Sequence, residues 1–267
     1  MKTVLITGAS GGIGQALCTY FADRGMRVLA HARNEEKAKS VAGPSHTPIW
    51  GDVTMDDDVA SIAKQVKAAG GVDWIVHNAG LLSRTLEKGS HGLGMQAEVN
   101  VLAPYAITKA LIGKLQKSDD PKVFVISSTA SMFAFNSRYE TLAEPNGTSL
   151  FGQYALSKSA ANAVVVNTAQ QWPDVFFAGT EPGFVKTKMT AGNPSMPFVM
   201  SKLAGMIGAS TQAAAKRCFD FFLEGNHVSG VVVHGRSVQS ATKSKWVTTE
   251  AQASLVKLFE KGGVRLT

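Results

Sequence analysis

Cysteine is scarce in this 267-residue chain: there are two, Cys18 and Cys218, and neither stands at a metal-ligand spacing. So sparse a pair excludes a disulfide scaffold and points to a reducing compartment, with both residues expected as buried free thiols in apolar helical contexts. Long hydrophobic runs are missing too. No stretch approaches the roughly 18 apolar residues that a membrane helix needs. The first segment, MKTVLITGASGG, has one lysine and three apolar residues in a row before glycines interrupt, which fits neither a signal peptide nor an anchor. The expectation is a soluble cytoplasmic protein with no integral membrane segment. Low-complexity tracts, linkers and internal repeats are absent as well. With 45% hydrophobic and 18% charged residues, the composition predicts a single globular domain over 1–267.

The net charge of +7 is unevenly placed. Residues 1–185 hold 16 Lys+Arg against 16 Asp+Glu, whereas residues 186–267 hold 11 against four. Two readings stand: a basic surface that attracts an acidic substrate, cofactor or carrier, or ordinary solvated helix faces. The lysines are scattered, without interleaved aromatics or a nucleic-acid motif, so nucleic acid is not an expected partner.

What the chain does have is alternation. Near-continuous apolar runs at 2–7, 27–32, 47–50, 73–78, 122–127, 175–180 and 230–235 read as strands covered on both faces. Segments of helical period lie between them at 12–24, 56–70, 94–116 and 151–172, the second opening with three aspartates suited to a helix N-terminus. This βαβ order predicts an α/β fold: a Rossmann-type doubly wound parallel sheet of about seven strands with helices on both faces. Two stretches fit less well. Residues 129–150 lack period and are rich in turn formers, giving a long candidate substrate loop beside the carboxyl end of the fifth strand. Residues 186–210 mix Met, Phe, Pro and Gly into a candidate lid. The tail predicts an amphipathic helix over about 247–261, placed either over the lid or at a subunit interface.

The stretch VLITGASGGIGQAL is a strand, a glycine-rich turn and a helix start in succession. Gly8 permits the tight turn, Gly12 lets backbone approach a diphosphate, and Gly14 lets the helix pack on the strand, with Ser10 and Ile13 in the same turn. The second strand ends in HARN, so Ala32 stands where an acidic residue would hold a ribose 2′-hydroxyl. Arg33, followed by Asn34, can instead hold a 2′-phosphate through charge-assisted bonds. NADP is the expected cofactor.

Further segments follow in order: GDV at 51–53, HNAG at 77–80, EVNVLAPY at 98–105, VISS at 125–128, YALSK at 154–158 and EPGFVKT at 181–187. Together with TGASGGIG at 7–14 they resemble the short-chain dehydrogenases/reductases over most of the chain. The resemblance implies that Asp52 and Val53 contact the adenine, and that Asn78, Ala79 and Gly80 lie near its ribose. It places Pro182, Gly183, Val185 and Thr187 along the nicotinamide. His77 stands where many members have asparagine. Ser128 matches the serine that orients the substrate oxygen, with Ser127 as the runner-up. Asn100 matches an asparagine in the fourth helix whose side chain would distort that helix and free a carbonyl for a water near Lys158. Homo-oligomers, dimers or tetramers, are common in the family.

Tyr154 and Lys158 share one helix face, with Cβ atoms about 6 Å apart. The ammonium is expected to lower the phenol pKa from near 10, so that Tyr154 exchanges a proton with a substrate oxygen near neutral pH. Lys158 can also hold the nicotinamide ribose. From Ser128 to Tyr154 the interval is 26 residues, longer than in many members and similar to the retinol dehydrogenase-like and protochlorophyllide reductase-like subgroup. Phe133, Phe135 and Tyr139 would then line an apolar substrate wall, or serve ordinary loop packing. The leading expectation is an NADPH-dependent reductase or dehydrogenase acting on an apolar ketone or aldehyde. The alternatives are a reductase of 3-oxo groups carried on an acidic carrier protein or coenzyme A, and a non-catalytic NADP-binding sensor or scaffold.

Overall fold

The computed structural model describes residues 1–266 except 42, 44, 45, 135, 145–148, 188, 191, 192, 225, 226, 235, 236, 240–245 and 247. Strands β1 (Thr3–Ile6), β2 (Arg27–Ala32), β3 (His46–Trp50), β4 (Trp74–His77), β5 (Lys122–Ile126), β6 (Phe176–Glu181), β7 (Val231–His234) and β8 (Ser237–Gln239) form one sheet in the order β3-β2-β1-β4-β5-β6-β7-β8. Every pairing is parallel except the last, β7 with β8. The order reverses between β1 and β4, which opens a crevice at their carboxyl ends.

Strand side chains alternate between two cores. Val4, Ile6, Val76 and Phe124 pack with Leu17 and Phe21 of α1 (Gly12–Ala22) and Phe219 and Phe222 of α8 (Thr211–Leu223). Leu5, Ile75, Val123 and Phe177 face Ile62 and Val66 of α3 (Asp56–Ala68), Leu111 of α5 (Ala103–Leu115) and Val165 of α6 (Leu150–Gln171). Each buried large apolar side chain contributes about 1.5–3 kcal/mol, so coverage on both faces is what the continuous apolar runs encode. Cys18 and Cys218 are buried free thiols in the first core, and burial pushes each up to about 12.

The structure adds to the expected elements, α8 among them. The eighth strand, SVQ, is a short edge with Val238 exposed, so it carries no apolar signature. Helices α2 (Glu35–Val41) and α7 (Phe198–Ile207) also form, the latter inside the candidate lid. Residues 129–150 include two 3-10 turns, Thr129–Phe133 and Tyr139–Ala143. The fourth helix is α4 (Met95–Ala97) and α5 joined by a π-helical segment, Glu98–Leu102. Pro104 has no N–H for the Asn100 carbonyl four positions back, and its ring would clash there, so the winding loosens.

The tail helix α9 (Thr249–Lys261) docks on α6 and on the turn Tyr139–Ala143. Leu255, Leu258 and Phe259 enter a third core with Tyr105 and Val164. Among the described residues no helix is long and apolar enough to cross a membrane.

Candidate active site

The glycine turn is built by steric necessity. Gly8 has φ 66°, and a Cβ there would lie 2.8 Å from the Ala79 Cα. At Gly14 a Cβ would lie 2.2 Å from the Gly8 carbonyl oxygen and 2.6 Å from Asn78 Nδ2, so only glycine lets α1 start this close to β1 and β4. Gly12 has φ 56° and faces Thr187, whose Cγ2 would be 3.7 Å from an added Cβ. Gly11, at the N-cap of α1, provides no side-chain cap, so the first amides of the helix point from the turn without one. Ser10 is exposed and Ile13 packs on the α1 core. Thr7, which the sequence reading passed over, ties the two strand ends: its Oγ1 accepts from the amides of Asn78 at 3.1 Å and Ala79 at 3.0 Å. Asn78 Nδ2 returns bonds to the carbonyls of Thr7 at 3.0 Å and Gly8 at 3.1 Å.

At the end of β2, Ala32 is buried and Arg33 exposed. The Arg33 guanidinium makes no ion pair or hydrogen bond among the described residues. Asn34 has a local task, since its Oδ1 accepts from Lys37 N at 3.0 Å and caps α2. His31, buried behind this corner, accepts at Nδ1 from Gly8 N at 3.4 Å and meets the Gly51 carbonyl through Nε2 at 2.9 Å. Burial lowers its pKa. Asp52 Oδ1 accepts from Thr54 N at 3.0 Å and Oγ1 at 2.8 Å, an Asx turn, and Val53 packs partly on the α3 core. His77 is buried at the end of β4, where Nε2 meets Thr108 Oγ1 at 2.8 Å and burial drops its pKa to about 3.

Beside β5 the expected pair comes together. Tyr154 is buried, and Lys158 Nζ lies 5.9 Å from the center of its ring. The Lys158 ammonium donates to the Ile126 carbonyl at 2.9 Å. The Ser128 side chain acts on the Tyr154 phenol, lowering its pKa, and its Oγ accepts from Ala130 N at 3.1 Å. The Ser127 hydroxyl is buried with no hydrogen-bond partner among the described residues, which separates the two serines. A Cβ at Gly80 would lie 3.3 Å from both Lys158 Nζ and Asn100 Oδ1, so that glycine separates the two side chains.

Two expectations about this group need correction. Burial raises the Tyr154 pKa, and the Glu181 charge adds to the rise, against a lowering by Ser128. Lys158 does not oppose this rise, because desolvation brings its own pKa down to about 8 and it is already neutral where the phenol titrates. The helix is distorted at Asn100 as expected, but the side chain is not what competes for its bonds. It pairs with Leu81, accepting the amide at 2.8 Å and donating to the carbonyl at 2.9 Å, and it donates to Ser157 Oγ at 2.9 Å.

Next to the phenol lies an apolar wall. Leu82, Ala130 and Ala155 pack with Tyr154, joined by Phe151, Met189 and Met196. Phe133 is half exposed, with its ring 6.3 Å from Phe151. Tyr139 is not part of the wall: it is fully buried in the third core, its hydroxyl 3.1 Å from Ser159 Oγ. Phe135 lies outside the described residues. Pro182 and Val185 are buried after β6; Gly183 has φ 75°, and an added Cβ there would lie 2.4 Å from Arg217 Nη1, which donates to the Pro182 carbonyl at 2.7 Å. Thr187 Oγ1 lies 3.2 Å from Thr190 Oγ1.

A family profile described as short chain dehydrogenase matches residues 2–197. The chain is a short-chain dehydrogenase. Among relatives of this dehydrogenase, oxidoreductase UcpA of Salmonella typhimurium is 28% identical over 222 residues, covering 77% of this chain and 80% of that one. The 3-oxoacyl-[acyl-carrier-protein] reductase FabG of Escherichia coli is 24% identical over 245 residues, 87% of this chain and 95% of that one. A Shigella flexneri chain crystallised in complex with NADP superposes with a TM-score of 0.60 at 23% identity, covering 79% of this chain and 86% of that one. The dehydrogenase is thus an oxidoreductase of a family that acts on CH–OH and C=O groups with a nicotinamide cofactor. Its edge also holds residues the sequence reading did not single out, among them Thr7, Arg217 and Phe151. Of these, Thr7 had a legible signal, a hydroxyl residue between strand and glycine turn.

Proposed function

We propose that this dehydrogenase is an NADP(H)-dependent reductase of apolar ketones or aldehydes, with alcohol oxidation as the reverse. The observation that carries the reading is the buried Tyr154 phenol with the Lys158 ammonium near its ring and an apolar wall beside it. The residues present fit a dinucleotide. Gly8, Gly11 and Gly12 leave the turn open to a diphosphate at those positions, and the uncapped amides of α1 suit an anion. Arg33, at the end of β2, suits a 2′-phosphate, and Asp52, Val53, Asn78, Ala79 and Gly80 would flank the adenosine. Pro182, Gly183, Val185 and Thr187 would flank the nicotinamide.

When bound, the cofactor supplies hydride to the carbonyl carbon or accepts it from the alcohol carbon. Tyr154 donates its phenolic proton to the carbonyl oxygen, and its raised pKa keeps that proton available. Ser128 holds the same oxygen. Lys158 holds the ribose hydroxyls, while Asn100 fixes the segment after β4 that borders them.

The test is NADPH consumption over a broad carbonyl panel. Turnover of apolar ketones or aldehydes is expected, falling roughly 10²–10⁴-fold in Tyr154→Phe with NADPH binding kept. Binding without turnover on any carbonyl would overturn the reading. Arg33→Ala should collapse the preference for NADPH over NADH, and an unchanged ratio would remove the 2′-phosphate assignment.

A second reading, reduction of carrier-bound 3-oxoacyl groups, draws on the name of the Escherichia coli relative and on the basic excess after residue 185. It predicts activity only with carrier-linked substrates, weakened steeply by salt.

A further inference from the structure

Glu181 closes β6 at the carboxyl edge of the sheet and is 4% exposed. A carboxylate so buried needs partners. Its Oε2 meets Nδ1 of His234, the residue opposite it in the β6–β7 register, at 2.5 Å. Its Oε1 accepts from Ser131 Oγ at 3.2 Å. Ser131 N in turn donates to the Ser128 carbonyl at 2.9 Å, in the turn that presents Ser128 to Tyr154. Glu181 is therefore wired to the serine–phenol pair.

Strand alternation puts Glu181 on the same side of the sheet as Phe177, which packs with Ala161 and Val165 of α6, the helix that carries Lys158. Lys158 is 5% exposed and bonds the carbonyl of Ile126, which is register partner to Thr180, one residue before Glu181. No ion pair engages Lys158 among the described residues, where the hydrogen-bond partner of its ammonium is a neutral carbonyl. A desolvated ammonium in such a place tends to shed its proton.

We propose that Glu181 is the counter-charge that keeps Lys158 protonated at this edge, a positioning residue that acts through its field and through Ser131. The proposal rests on the reading of Tyr154 and Lys158 as the catalytic unit. Burial pulls Lys158 down to about 8, and the Glu181 charge is what pushes it back up. The same charge adds to the rise at Tyr154. Both groups are thus biased to their proton-bearing forms, which donation to a carbonyl oxygen requires. The other titratable or charged groups around Glu181 are His234 on β7 and, on α8, the Cys218 thiol with Arg217 beside it. His234 is half exposed and holds the carboxylate in place from the solvent side.

The test is a 13Cε-lysine NMR titration of the protein alone, with the Lys158 signal identified by its loss in Lys158→Arg. Ordinary lysines titrate near 10.4, so a midpoint near 8 stands apart. Glu181→Gln, which preserves shape and hydrogen bonding, should move that midpoint down by about one pH unit. Glu181→Ser serves if the glutamine variant does not fold, as judged by circular dichroism. Glu181→Asp, which retains the charge, should restore most of the shift. The alkaline limb of the kcat/KM profile for carbonyl reduction should move the same way. A Lys158 midpoint unchanged in the neutral variants overturns the counter-charge, whatever the turnover. Absence of turnover in the wild type overturns the catalytic reading, while the titration still decides the role of Glu181.

Discussion

Lys158 sits where its own charge is disfavored, and this has a measurable effect on stability. Its pKa falls from 10.5 to about 8 on folding, and at about 1.4 kcal/mol per unit the burial of this one ammonium costs on the order of 3 kcal/mol. The sign follows from proton counting. Below about pH 8 both folded and unfolded chains carry the proton, and the full penalty applies. Between about 8 and 10.5 the unfolded chain binds more protons, so stability rises with pH through this window. Lys158→Met should therefore resist urea better than wild type at pH 7, with the advantage shrinking toward pH 10.5. An equal difference at both pH values would show that packing, not charge, is responsible. The pairing of Tyr154 with Lys158 was legible from their spacing. The direction of the phenol shift was not, because spacing along a helix says nothing of desolvation. Glu181 was visible as a letter in EPGFVKT, but its burial depends on the β6–β7 register and so on distant residues.

At the scale of elements, the strand–turn–helix entry to the crevice depends on one missing methyl. In Gly14→Ala the new Cβ would meet backbone oxygen at 2.2 Å, so α1 must shift away from β1. The expected loss is about 1–3 kcal/mol or more in urea unfolding, with weaker NADPH binding measured by fluorescence. Retention of both would show that α1 moves freely at this junction. The seven long strands and the first helix were legible because each is a continuous apolar run or a clear period. Helix α8 places Ala214, Ala215, Cys218, Phe219 and Phe222 on one buried stripe, opened by the Ser210 cap at 3.1 Å. Its period is interrupted by no breaker between Thr211 and Leu223, so this helix was legible in the sequence as well. The π-helical segment was legible only in part. Pro104 shows that the winding must yield, but the pairing of Asn100 with Leu81 is a tertiary contact.

Across the whole molecule, the tail is part of the core rather than an accessory. Phe259 is fully buried, edge-on to Tyr105 at 5.1 Å between ring centers, and the Tyr105 hydroxyl donates to the Arg265 carbonyl at 3.1 Å. Phe259→Ala should cost about 3–5 kcal/mol in urea unfolding, as for a large core cavity. A cost near zero would place α9 outside the cooperative unit. The sequence reading recognized the helix but placed it over the lid or at a subunit interface, because amphipathic pattern gives a face without naming what covers it.

The docking of α9 on the turn Tyr139–Ala143, with Ser254 bonded to Glu140, ties a helix remote in sequence to the stretch between Ser128 and Tyr154. Because that stretch leads into α6, which carries Tyr154 and Lys158, fraying of α9 would loosen the approach to the phenol while leaving the glycine turn intact.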